Sequence, residues 1–380
     1  MSIFTPDDHR FMSQALQLAA RGLYTTDPNP RVGCVLVRDG VVVGEGWHER
    51  AGEAHAEVRA LAQAGERARG ATCYVTLEPC CHHGRTPPCV RALIKAGVKR
   101  VVAAMEDPNP LVWGQGLVEL EAAGIGTTVG LMAAETQALN PGFIKRMRHK
   151  RPFVRCKLAM SLDGRTAMAS GDSRWITEEP ARADVQRLRA RSSVVMMGIG
   201  TVLADDPLYT VRRETLPDDY PGGAEAAVIR QPLRVVVDPH LSLPENARML
   251  SAPGKTLIAT ASDDAEQIDL LRERGVEVVC LPGGPGTVDL NALLDFLGKT
   301  EVNEVLLETG AILSGSMLQA GLVDELVIYM APILLGDGAR GLFHLPALQQ
   351  LSDAYRLDIR EIRAVGRDWR IEATMQRRDS

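Results

Sequence analysis

Side chains that could bind a metal are concentrated in the first 90 residues. His55 and Glu57 lie in an Ala-His-Ala-Glu segment, while Cys80 and Cys89 lie in a second segment that begins with Glu-Pro-Cys. One neutral imidazole and two thiolates provide three ligands for tetrahedral zinc and leave the fourth position open for water. Zinc lowers the pKa of such a water toward about 7, which produces hydroxide at neutral pH.

Glu57 is predicted to be the catalytic acid and base of this site rather than a ligand. Each residue turns a helix by about 100°, so residues two apart point to different sides. His55 and Glu57 should therefore not bind one metal together unless the helix end wraps around it. A carboxylate beside the metal can carry protons from the water to a leaving amine, as in the H-x-E…P-C…C pattern of zinc-dependent nucleobase deaminases.

Two alternative interpretations of these segments stay open. His82 or His83 could supply a fourth ligand and close the coordination, which would make the domain a non-catalytic zinc-binding module. A nucleic-acid deaminase of the tRNA adenosine type, with an accessory domain, would instead need a basic face that carries aromatic side chains. The first 150 residues hold 17 Lys and Arg against 15 Asp and Glu, the rest hold 26 against 33, and aromatic residues make up 4% of the chain. This balance disfavours a nucleic-acid partner.

Length and composition predict a soluble protein of two domains. At roughly 150 residues per domain, 380 residues allow two or three domains, and 45% hydrophobic residues suffice for complete cores. The seven cysteines are odd in number and clustered, which is a poor disulfide framework. The N-terminal residues lack the features of a secretory signal, and no apolar run reaches the roughly 18 residues of a transmembrane helix. We therefore expect a cytoplasmic protein without a membrane partner, in which Cys81 is a bystander.

Both metal-binding segments are predicted to lie at helix starts within an alternating series of strands and helices. Thr5 and Pro6 suit the start of a helix over 5–21, and Asp39-Gly40 predicts a hairpin turn. Further helices are expected at 55–64, 88–96 and 115–123, and strands at 32–37, 41–45, 72–77 and 98–104. The partial positive charge of a helix start favours the thiolate of Cys89.

A second alternating series follows a break in the pattern at 140–152. Asn140-Pro141-Gly142 ends the preceding pattern, and the basic run from Lys145 to Arg151 is predicted to be a solvated linker, with a phosphate-binding patch as the alternative. Strands are expected at 153–159, 193–198, 233–237, 256–260, 276–280, 304–307, 325–330 and twice near the C-terminus, with helices at 180–190, 289–298 and 314–320. The polar segment 212–231 is predicted to be a surface loop. Alternation of this kind predicts an α/β fold.

The segment 304–320 could bind an anion. It is predicted as strand, glycine turn and helix, and Gly310 followed by the amides of Ala311 to Ser316 would suit a pyrophosphate. Gly198-x-Gly200 is similar, but neither segment fits G-x-G-x-x-G, and a tight turn without a ligand is the alternative. The second half shows no metal set, nucleophile elbow or Walker loop, so hydrolysis and phosphoryl transfer lack their usual residues.

The spacing of the cysteines narrows the class of deaminase. Eight residues separate Cys80 from Cys89, where many deaminases have two. With Pro28-Asn29-Pro30, Gly52-x-x-His55-Ala56-Glu57 and Asp107-Pro108-Asn109-Pro110, the chain resembles the bifunctional riboflavin-biosynthesis deaminase/reductase family over nearly its whole length. The resemblance implies a cytidine-deaminase-like α/β/α sandwich at 1–148 and a dihydrofolate-reductase-like α/β domain at 152–380.

The resemblance also implies the reactions, the cofactors and the contacts of each site. The deaminase half would use one zinc ion to convert 2,5-diamino-6-(5-phosphoribosylamino)pyrimidin-4(3H)-one to the 5-amino uracil, and the reductase half would use NADPH to reduce its ribosyl group. The metal ligands would be His55, Cys80 and Cys89. The substrate contacts would be Asn29, His48, His82, Arg85, Asp107 and Asn109 in the first half, and Ser173, Arg189, Leu208, Arg212 and Glu308 in the second. The NADPH contacts would be Ala159, Trp175, Thr201, Asp205, Gly310, Ala311, Ile312, Leu313, Ser314, Gly315 and Ser316.

Three further expectations follow from the same resemblance. The partners are small phosphorylated aminopyrimidines, and the chain is expected to form a homo-oligomer, either a dimer or a tetramer. Asp205 and Glu308 are the candidates for the proton donor of the reduction. For Asn29 and Asn109, each between prolines, turn formation is the alternative to substrate binding. The alternative to substrate binding by Arg189 is a position on a solvated helix face. The alternative to NADPH binding by Trp175 is a position in the hydrophobic core.

Overall fold

The computed structural model describes residues 4–82, 87–216 and 229–376, which form two compact units. The first unit contains the described residues up to 150, and the second contains those from 151 onward. Among these described ranges, no helix is both long enough and apolar enough to cross a membrane.

The first unit alternates helices and strands. Thr5 caps the first helix, because its side chain accepts the N–H of Asp8 while the Asp8 carboxylate accepts the N–H of Thr5. The elements are α1 (Pro6–Ala20), β1 (Gly33–Arg38), β2 (Val41–Trp47), α2 (Ala56–Ala64), β3 (Thr72–Val75), α3 (Cys89–Ala96), β4 (Arg100–Ala103), α4 (Gln115–Ala122), β5 (Gly126–Val129), α5 (Ala133–Leu139) and α6 (Pro141–His149).

The five strands form one sheet in the order β2-β1-β3-β4-β5. β1 is antiparallel to both neighbours, whereas β3, β4 and β5 are parallel. Side chains alternate across β1, so Cys34 and Leu36 pack in the core formed with α2 and α3, and Val35 and Val37 pack in the core formed with α1. Helices on both faces make this unit a three-layer α/β/α sandwich.

Two glycines let α2 lie directly on β2. A Cβ at Gly46 would come within 2.4 Å of the carbonyl oxygen of Ala56, and a Cβ at Gly44 would come within 2.2 Å of that of Ala60. Any other residue would push the helix away from the strand. This close approach fixes the position of the start of α2, where His55 and Glu57 lie.

The second unit is built on one large sheet and a separate pair of short strands. The strands are β6 (Phe153–Ser161), β7 (Arg165–Ala167), β8 (Val194–Gly198), β9 (Leu233–Val237), β10 (Thr256–Thr260), β11 (Glu277–Cys280), β12 (Glu304–Leu307), β13 (Glu325–Ala331), β14 (Arg340–Gly341), β15 (Leu357–Val365) and β16 (Asp368–Met375). The large sheet has nine strands in the order β11-β10-β9-β8-β12-β6-β13-β16-β15, and β14 pairs with β7 alone. The strands from β11 to β13 in this order are parallel, and β16 and β15 complete the sheet in antiparallel fashion.

Helices cover both faces of the large sheet. They are α7 (Glu179–Arg191), α8 (Ile199–Asp205), α9 (Ala265–Glu273), α10 (Leu290–Lys299) and α11 (Ala311–Gln319). α7, α8 and α9 contribute to the core on one face, and α10 and α11 contribute to the core on the other. Ligand sites of such α/β sheets form at the carboxyl ends of the parallel strands, which here precede α8, α11 and the loop after β9.

The structure corrects several sequence-based predictions of elements. The break expected at 140–152, with a solvated linker from Lys145 to Arg151, instead contains α6. Pro141 occupies the first helical position, where its missing N–H costs nothing, and Phe143 is buried. The helix expected at 314–320 begins at Ala311, with Gly310 as its N-cap. Six further elements were not predicted from the sequence, namely β5, α5, β7, α8, α9 and β14. Much of the loop expected at 212–231 lies outside the described residues.

Candidate active sites

His55, Cys80 and Cys89 converge in the first unit. The Nδ1 of His55 lies 3.6 Å from the Sγ of Cys80 and 3.3 Å from the Sγ of Cys89. All three ligand atoms lie within 4.8 Å of one another, and among the described residues no fourth His, Cys, Asp or Glu joins the group. His55 is the N-cap of α2, Cys80 lies in the loop after β3, and Cys89 is the first residue of α3.

This donor set fits zinc. With Zn–N near 2.1 Å and Zn–S near 2.3 Å, a tetrahedron separates nitrogen from sulfur by about 3.6 Å, close to both distances. The N–H of Cys89 donates to the Sγ of Cys80 at 3.4 Å. The hydrogen bond between the two thiols lowers the pKa of Cys80 and raises that of Cys89, so Cys80 is the first of the two to become the thiolate that a metal requires.

Glu57 is buried beside this cluster at the start of α2, with 3% of its surface exposed. His55 has extended backbone angles of φ −70° and ψ 165°. His55 and Glu57 are therefore not two residues of one helix, as was expected from the sequence, because only Glu57 is on the helix. Glu57 is nevertheless not part of the converging group. Burial raises the pKa of Glu57 to about 7, so its carboxyl group can hold and release a proton near neutral pH.

His48 and Asn29 form a polar pair next to the cluster. The Nδ2 of Asn29 lies 3.0 Å from the Nε2 of His48, and the Nδ1 of His48 lies 3.3 Å from the carbonyl oxygen of Ala54. The rings of His48 and His55 meet edge to face with centroids 5.3 Å apart. Burial lowers the pKa of His48, which favours a neutral ring that accepts from Asn29 and donates to Ala54.

Asp107 and Asn109 lie in a loop that is held by the buried carboxylate of Glu78. This carboxylate accepts the N–H groups of Asp107 at 3.0 Å and of Gly114 and Gly116 at 2.9 Å each. Asp107 accepts the N–H of Asn109 at 2.8 Å, and the Asn109 side chain accepts the N–H two residues later. Asn109 thus has the turn-forming contact that was its alternative role. Burial raises the pKa of Asp107 to about 7.

The segment between the cysteines is described only in part. The Nδ1 of His82 is buried and has no hydrogen-bond partner among the described residues. Cys81 packs against the hydrophobic core and is outside the converging group. Arg85, a predicted substrate contact, and His83, an alternative ligand, lie outside the described residues.

A cavity of about 1390 Å³ opens at the carboxyl ends of the parallel strands in the second unit. Its wall contains most of the residues that were predicted to contact NADPH or substrate. These are Ala159, Ser173, Trp175, Arg189, Thr201, Asp205, Leu208, Arg212, Glu308, Gly310, Ala311, Ile312, Leu313 and Ser316. Trp175 is 70% exposed, so its alternative as a core residue is wrong.

Two residues of the predicted anion-binding turn lie behind the cavity wall. Ser314 is fully buried, with its hydroxyl 3.8 Å from the thiol of Cys156. A Cβ at Gly315 would come within 2.1 Å of the carbonyl oxygen of His344, so this glycine serves packing. The N–H of Ser314 is donated to the carbonyl of Gly310. The expectation that every amide from Ala311 to Ser316 faces an anion therefore fails, since only the first-turn amides precede the helical hydrogen bonds.

A charged cluster lies at the centre of the cavity wall. Arg189 on α7 donates to Glu308 through Nε at 2.6 Å and Nη2 at 2.8 Å, and lies over the ring of Tyr209. Arg189 is thus not on a solvated helix face. Burial alone would raise the pKa of Glu308, but the charge of Arg189 outweighs it and holds the pKa below its ordinary value. Desolvation lowers the pKa of Lys157, and the Glu308 charge partly opposes that shift.

Asp205 lies at the end of α8 and is paired with Arg174. The Nη2 of Arg174 donates to Oδ1 of Asp205 at 2.9 Å and to its carbonyl oxygen at 2.8 Å. Both side chains are substantially exposed. Trp175 lies next to this pair, with the guanidinium of Arg182 4.7 Å from the centre of its ring.

Glu78 and Lys157 had no role predicted from the sequence. Glu78 lies two residues before Cys80, and its partners Gly114 and Gly116 are more than 30 residues away along the chain. Lys157 lies in the cavity wall on β6. The signal that was available for Lys157 is its position in a strand rich in apolar residues, since lysines are rarely buried unless they are paired.

Two family models match the chain along successive ranges. The model described as the cytidine and deoxycytidylate deaminase zinc-binding region matches residues 5–105, and the model described as the RibD C-terminal domain matches residues 152–371. The riboflavin biosynthesis protein RibD of Escherichia coli (strain K12) is 52% identical over 361 residues, which are 95% of this chain and 97% of that protein. The chain belongs to the RibD family of riboflavin biosynthesis proteins.

Solved structures of RibD proteins have the same fold. One form of Acinetobacter baumannii RibD is 44% identical, with a TM-score of 0.88 and coverage of 98% of this chain and 99% of that chain. A Thermotoga maritima structure titled as a diaminohydroxyphosphoribosylaminopyrimidine deaminase/5-amino-6-(5-phosphoribosylamino)uracil reductase is 31% identical, with a TM-score of 0.83 and coverage of 97% and 99%.

Membership of the RibD family confirms the resemblance that the motifs predicted. It confirms the α/β fold, with a cytidine-deaminase-like part followed by a dihydrofolate-reductase-like part. It also confirms a bifunctional enzyme, a hydrolytic deaminase combined with a reductase, in riboflavin biosynthesis. A tRNA-type deaminase with an accessory domain is not favoured.

Proposed function

We propose that this chain catalyses two successive reactions on one phosphorylated aminopyrimidine. The first is hydrolytic deamination of 2,5-diamino-6-(5-phosphoribosylamino)pyrimidin-4(3H)-one at residues 1–148. The second is NADPH-dependent reduction of the ribosyl group of the product at residues 152–380. The observation that carries the proposal is the group of His55, Cys80 and Cys89 beside the buried Glu57.

In the deaminase, His55, Cys80 and Cys89 hold one zinc ion, which would supply a Lewis acid that activates water. Glu57 takes the proton of the attacking water and delivers it to the leaving amine. Its protected position keeps competing protons of bulk solvent away from the carboxylate. The substrate contacts proposed here are Asn29, His48, His82, Arg85, Asp107 and Asn109.

In the reductase, the cavity wall holds NADPH, which would supply the hydride. The coenzyme contacts proposed are Ala159, Trp175, Thr201, Asp205, Gly310, Ala311, Ile312, Leu313 and Ser316. Ser314 and Gly315 pack behind the wall and support this turn without contacting the coenzyme. The substrate contacts proposed are Ser173, Arg189, Leu208, Arg212 and Glu308. The first-turn amides of α11 suit the pyrophosphate, and Gly310 leaves room for it, because no atom would lie within 4 Å of an added Cβ.

Opening the ribose ring requires a proton at the ring oxygen and removal of a proton from the attached nitrogen. We assign the first role to Lys157, because desolvation lowers its pKa and makes its ammonium group a stronger acid. The second role suits Glu308, which Arg189 keeps ionised. When C1′ is reduced, Glu308 returns that proton to the nitrogen, so Glu308 stays a candidate proton donor of the reduction and Lys157 joins it. Asp205, which pairs with Arg174, has no part in this assignment.

The proposal includes the setting in which the enzyme works. All seven cysteines are free thiols, which suits the reducing cytoplasm. The proposed partners are small phosphorylated aminopyrimidines rather than nucleic acid or membrane. The proposed assembly is a homo-oligomer, either a dimer or a tetramer.

One assay of the full chain tests both reactions and their order. The zinc-loaded protein is given the diaminopyrimidine phosphate with and without NADPH, and released ammonia and nicotinamide absorbance are followed together. We expect ammonia in both samples, and NADPH oxidation only after ammonia has begun to form. Oxidation of NADPH without ammonia release would contradict the order, and absence of ammonia would contradict the deaminase. Deamination of tRNA in a parallel sample would favour the alternative class.

A further inference from the structure

The order of the strands in the large sheet determines which residues lie at each end of the cavity in the second unit. Along the sheet, β6 is followed by β12, β8 and β9. Ala159 on β6 marks one end of the cavity wall, the start of α11 after β12 lies between, and Val237 and Pro239 at the end of β9 mark the other. The proposed function places the pyrophosphate at the first turn of α11 and a coenzyme contact at Ala159 on β6. With the nicotinamide at the β6 end, the adenosine extends past α11 toward the end of β9.

Arg248 lies in the wall at this adenosine end. It belongs to the loop that follows β9, together with Pro239, and the nearby wall also contains Thr287 and Val288. The backbone N–H of Arg248 donates to Oδ1 of Asp206, just beyond the end of α8, at 2.9 Å. This bond holds the backbone of Arg248 in place while its side chain stays exposed.

The guanidinium of Arg248 has no hydrogen bond or ion pair with any described residue. Other arginines in the cavity wall have partners for their side chains. Arg174 pairs with Asp205, Arg189 pairs with Glu308, Arg182 donates to the carbonyl of Thr177, and Arg340 donates to the carbonyl of Ala169. Within the described part of the wall, Arg212 is the other arginine whose guanidinium has no partner. Its backbone N–H is held by Gln186 of α7, the helix that also presents Arg189.

The described part of the wall thus has two guanidinium groups without partners, those of Arg212 and Arg248. The ligands of the proposed reaction carry two phosphate monoesters, one on the substrate and one on the ribose of NADPH. Arg212 lies with the substrate-binding residues of α7, which leaves Arg248 for the coenzyme. We propose that Arg248 binds the 2′-phosphate of NADPH and makes the reductase select NADPH over NADH. This inference rests on the proposed reductase function.

The selectivity follows from the charge of the ligand. A phosphate monoester offers oxygen acceptors and close to two negative charges to a planar guanidinium, which can bind it through two parallel hydrogen bonds. NADH presents a neutral hydroxyl at the same place and gains little from the arginine. Of the other wall residues at this end, Val237, Pro239, Val288 and Leu290 are uncharged, and Asp206, which accepts the N–H of Arg248, is a carboxylate. None of them supplies a positive charge that could replace Arg248.

The test compares ligand affinities of the full chain by titration calorimetry. The probes are NADPH and NADH, and the fragment pair adenosine 2′,5′-bisphosphate and adenosine 5′-monophosphate, which differ by the 2′-phosphate alone. In Arg248→Ala we expect the Kd of both 2′-phosphorylated ligands to rise about 10- to 100-fold, with the Kd of NADH and of the monophosphate unchanged. Arg248→Lys should restore part of the preference. Arg272→Ala, an exposed arginine of α9 outside the cavity wall, is the matched control and should behave like the parent chain.

Three results would overturn the inference, and they separate it from the proposed function. If Arg248→Ala weakens all four ligands equally or none of them, Arg248 is not the selectivity residue while the reductase proposal stands. If the parent chain binds NADPH and NADH equally, the chain has no selectivity to explain and the reductase again stands. If the parent chain binds neither coenzyme, the reductase proposal fails together with this inference.

Discussion

The guanidinium of Arg189 and the carboxylate of Glu308 form two parallel hydrogen bonds in the wall of the reductase cavity, and both side chains are largely buried. The positive charge of Lys157 also lowers the pKa of Glu308. The hydroxyl of Tyr209 donates a hydrogen bond to the backbone carbonyl of Glu308 at 3.1 Å. Both the orientation and the ionisation of Glu308 are therefore set by its neighbours. The residue that we propose as the proton acceptor is thus held in place before substrate arrives.

Glu308→Gln should lower the rate of ribosyl reduction by about 10²- to 10⁴-fold, the range for loss of a general base. The amide keeps the shape of the side chain but neither accepts the proton nor neutralises Arg189. The measurement is NADPH oxidation with the deaminated pyrimidine as substrate, alongside the Kd of NADPH, which should change little.

Glu304→Gln is the matched control for this variant. Glu304 is the first residue of β12, the strand that Glu308 directly follows, and it pairs with a buried arginine, Arg155, but it is not part of the cavity wall. It should lower the melting temperature, because a buried charge loses its partner, and leave kcat near the parent value. Equal losses of kcat in both variants would show that Glu308 acts through stability alone.

The reductase rate should fall as the pH rises through the pKa of Lys157. Desolvation lowers this pKa, so the ammonium group loses its proton at a lower pH than an ordinary lysine, whose pKa is near 10.4. A pH profile of kcat for ribosyl reduction measures the effect. Lys157→Met and Lys157→Arg should both abolish the reaction, because methionine has no proton to donate and an arginine guanidinium does not release its proton. A rate near that of the parent chain in Lys157→Arg would show that Lys157 acts through its positive charge and not as a proton donor.

Glu57→Gln should lower the rate of ammonia release by about 10²-fold or more. Zinc should stay bound. The ligands His55, Cys80 and Cys89 are untouched, so metal analysis should find the parent zinc content, and NADPH oxidation with the deaminated pyrimidine should continue. Cys80→Ser should instead lose zinc and ammonia release together. Cys81→Ser is the matched control, since Cys81 is outside the ligand group and should retain both. Substantial ammonia release by Glu57→Gln would remove Glu57 from the reaction.

The metal ligands could be predicted from motif spacing because metal coordination restricts the types of the residues more than it restricts their backbone conformation. The backbone of His55 shows the limit of that argument. Helical periodicity placed His55 and Glu57 on different sides of one helix, but His55 lies outside the helix as its N-cap. Similarly, Pro141 and Gly142 suggested a break in the chain, although proline favours the first turn of a helix and starts α6 here.

Contacts between residues distant in sequence were beyond local patterns. Nothing near Glu78 indicates that its carboxylate will meet the N–H groups of Gly114 and Gly116. The pairing of Arg189 with Glu308 depends on the packing of α7 over β12, which is a property of the whole sheet. In the predicted anion-binding turn at 310–316, composition could not separate the residues that line the cavity from Ser314 and Gly315, which pack behind its wall.

Asp8 anchors α1 to the first sheet, and its ionisation links the stability of the deaminase unit to pH. Its carboxylate accepts from the hydroxyl of Tyr74 at 2.8 Å and from Nη1 of Arg100 at 2.9 Å, as well as from the N–H of Thr5. Burial alone would raise the pKa of Asp8, but these hydrogen bonds and the Arg100 charge outweigh it and hold the pKa below its ordinary value. The stabilisation is therefore fully present above the unfolded pKa of about 3.9 and is lost as the pH falls through the lower folded pKa.

Asp8→Asn should destabilise the deaminase unit by about 1–3 kcal/mol at neutral pH, since a buried ionised acceptor is lost and Arg100 is left without its partner. Calorimetric melting of the full chain from pH 7 downward measures the difference from the parent. We expect that difference to stay constant to about pH 5 and to close on further acidification, as Asp8 of the parent becomes protonated. Asp7→Asn, on the same turn but exposed and paired only with Arg10, should cost a few tenths of a kcal/mol. A difference between Asp8→Asn and the parent that persists at the lowest pH would show that Asp8 acts through packing and not through its charge.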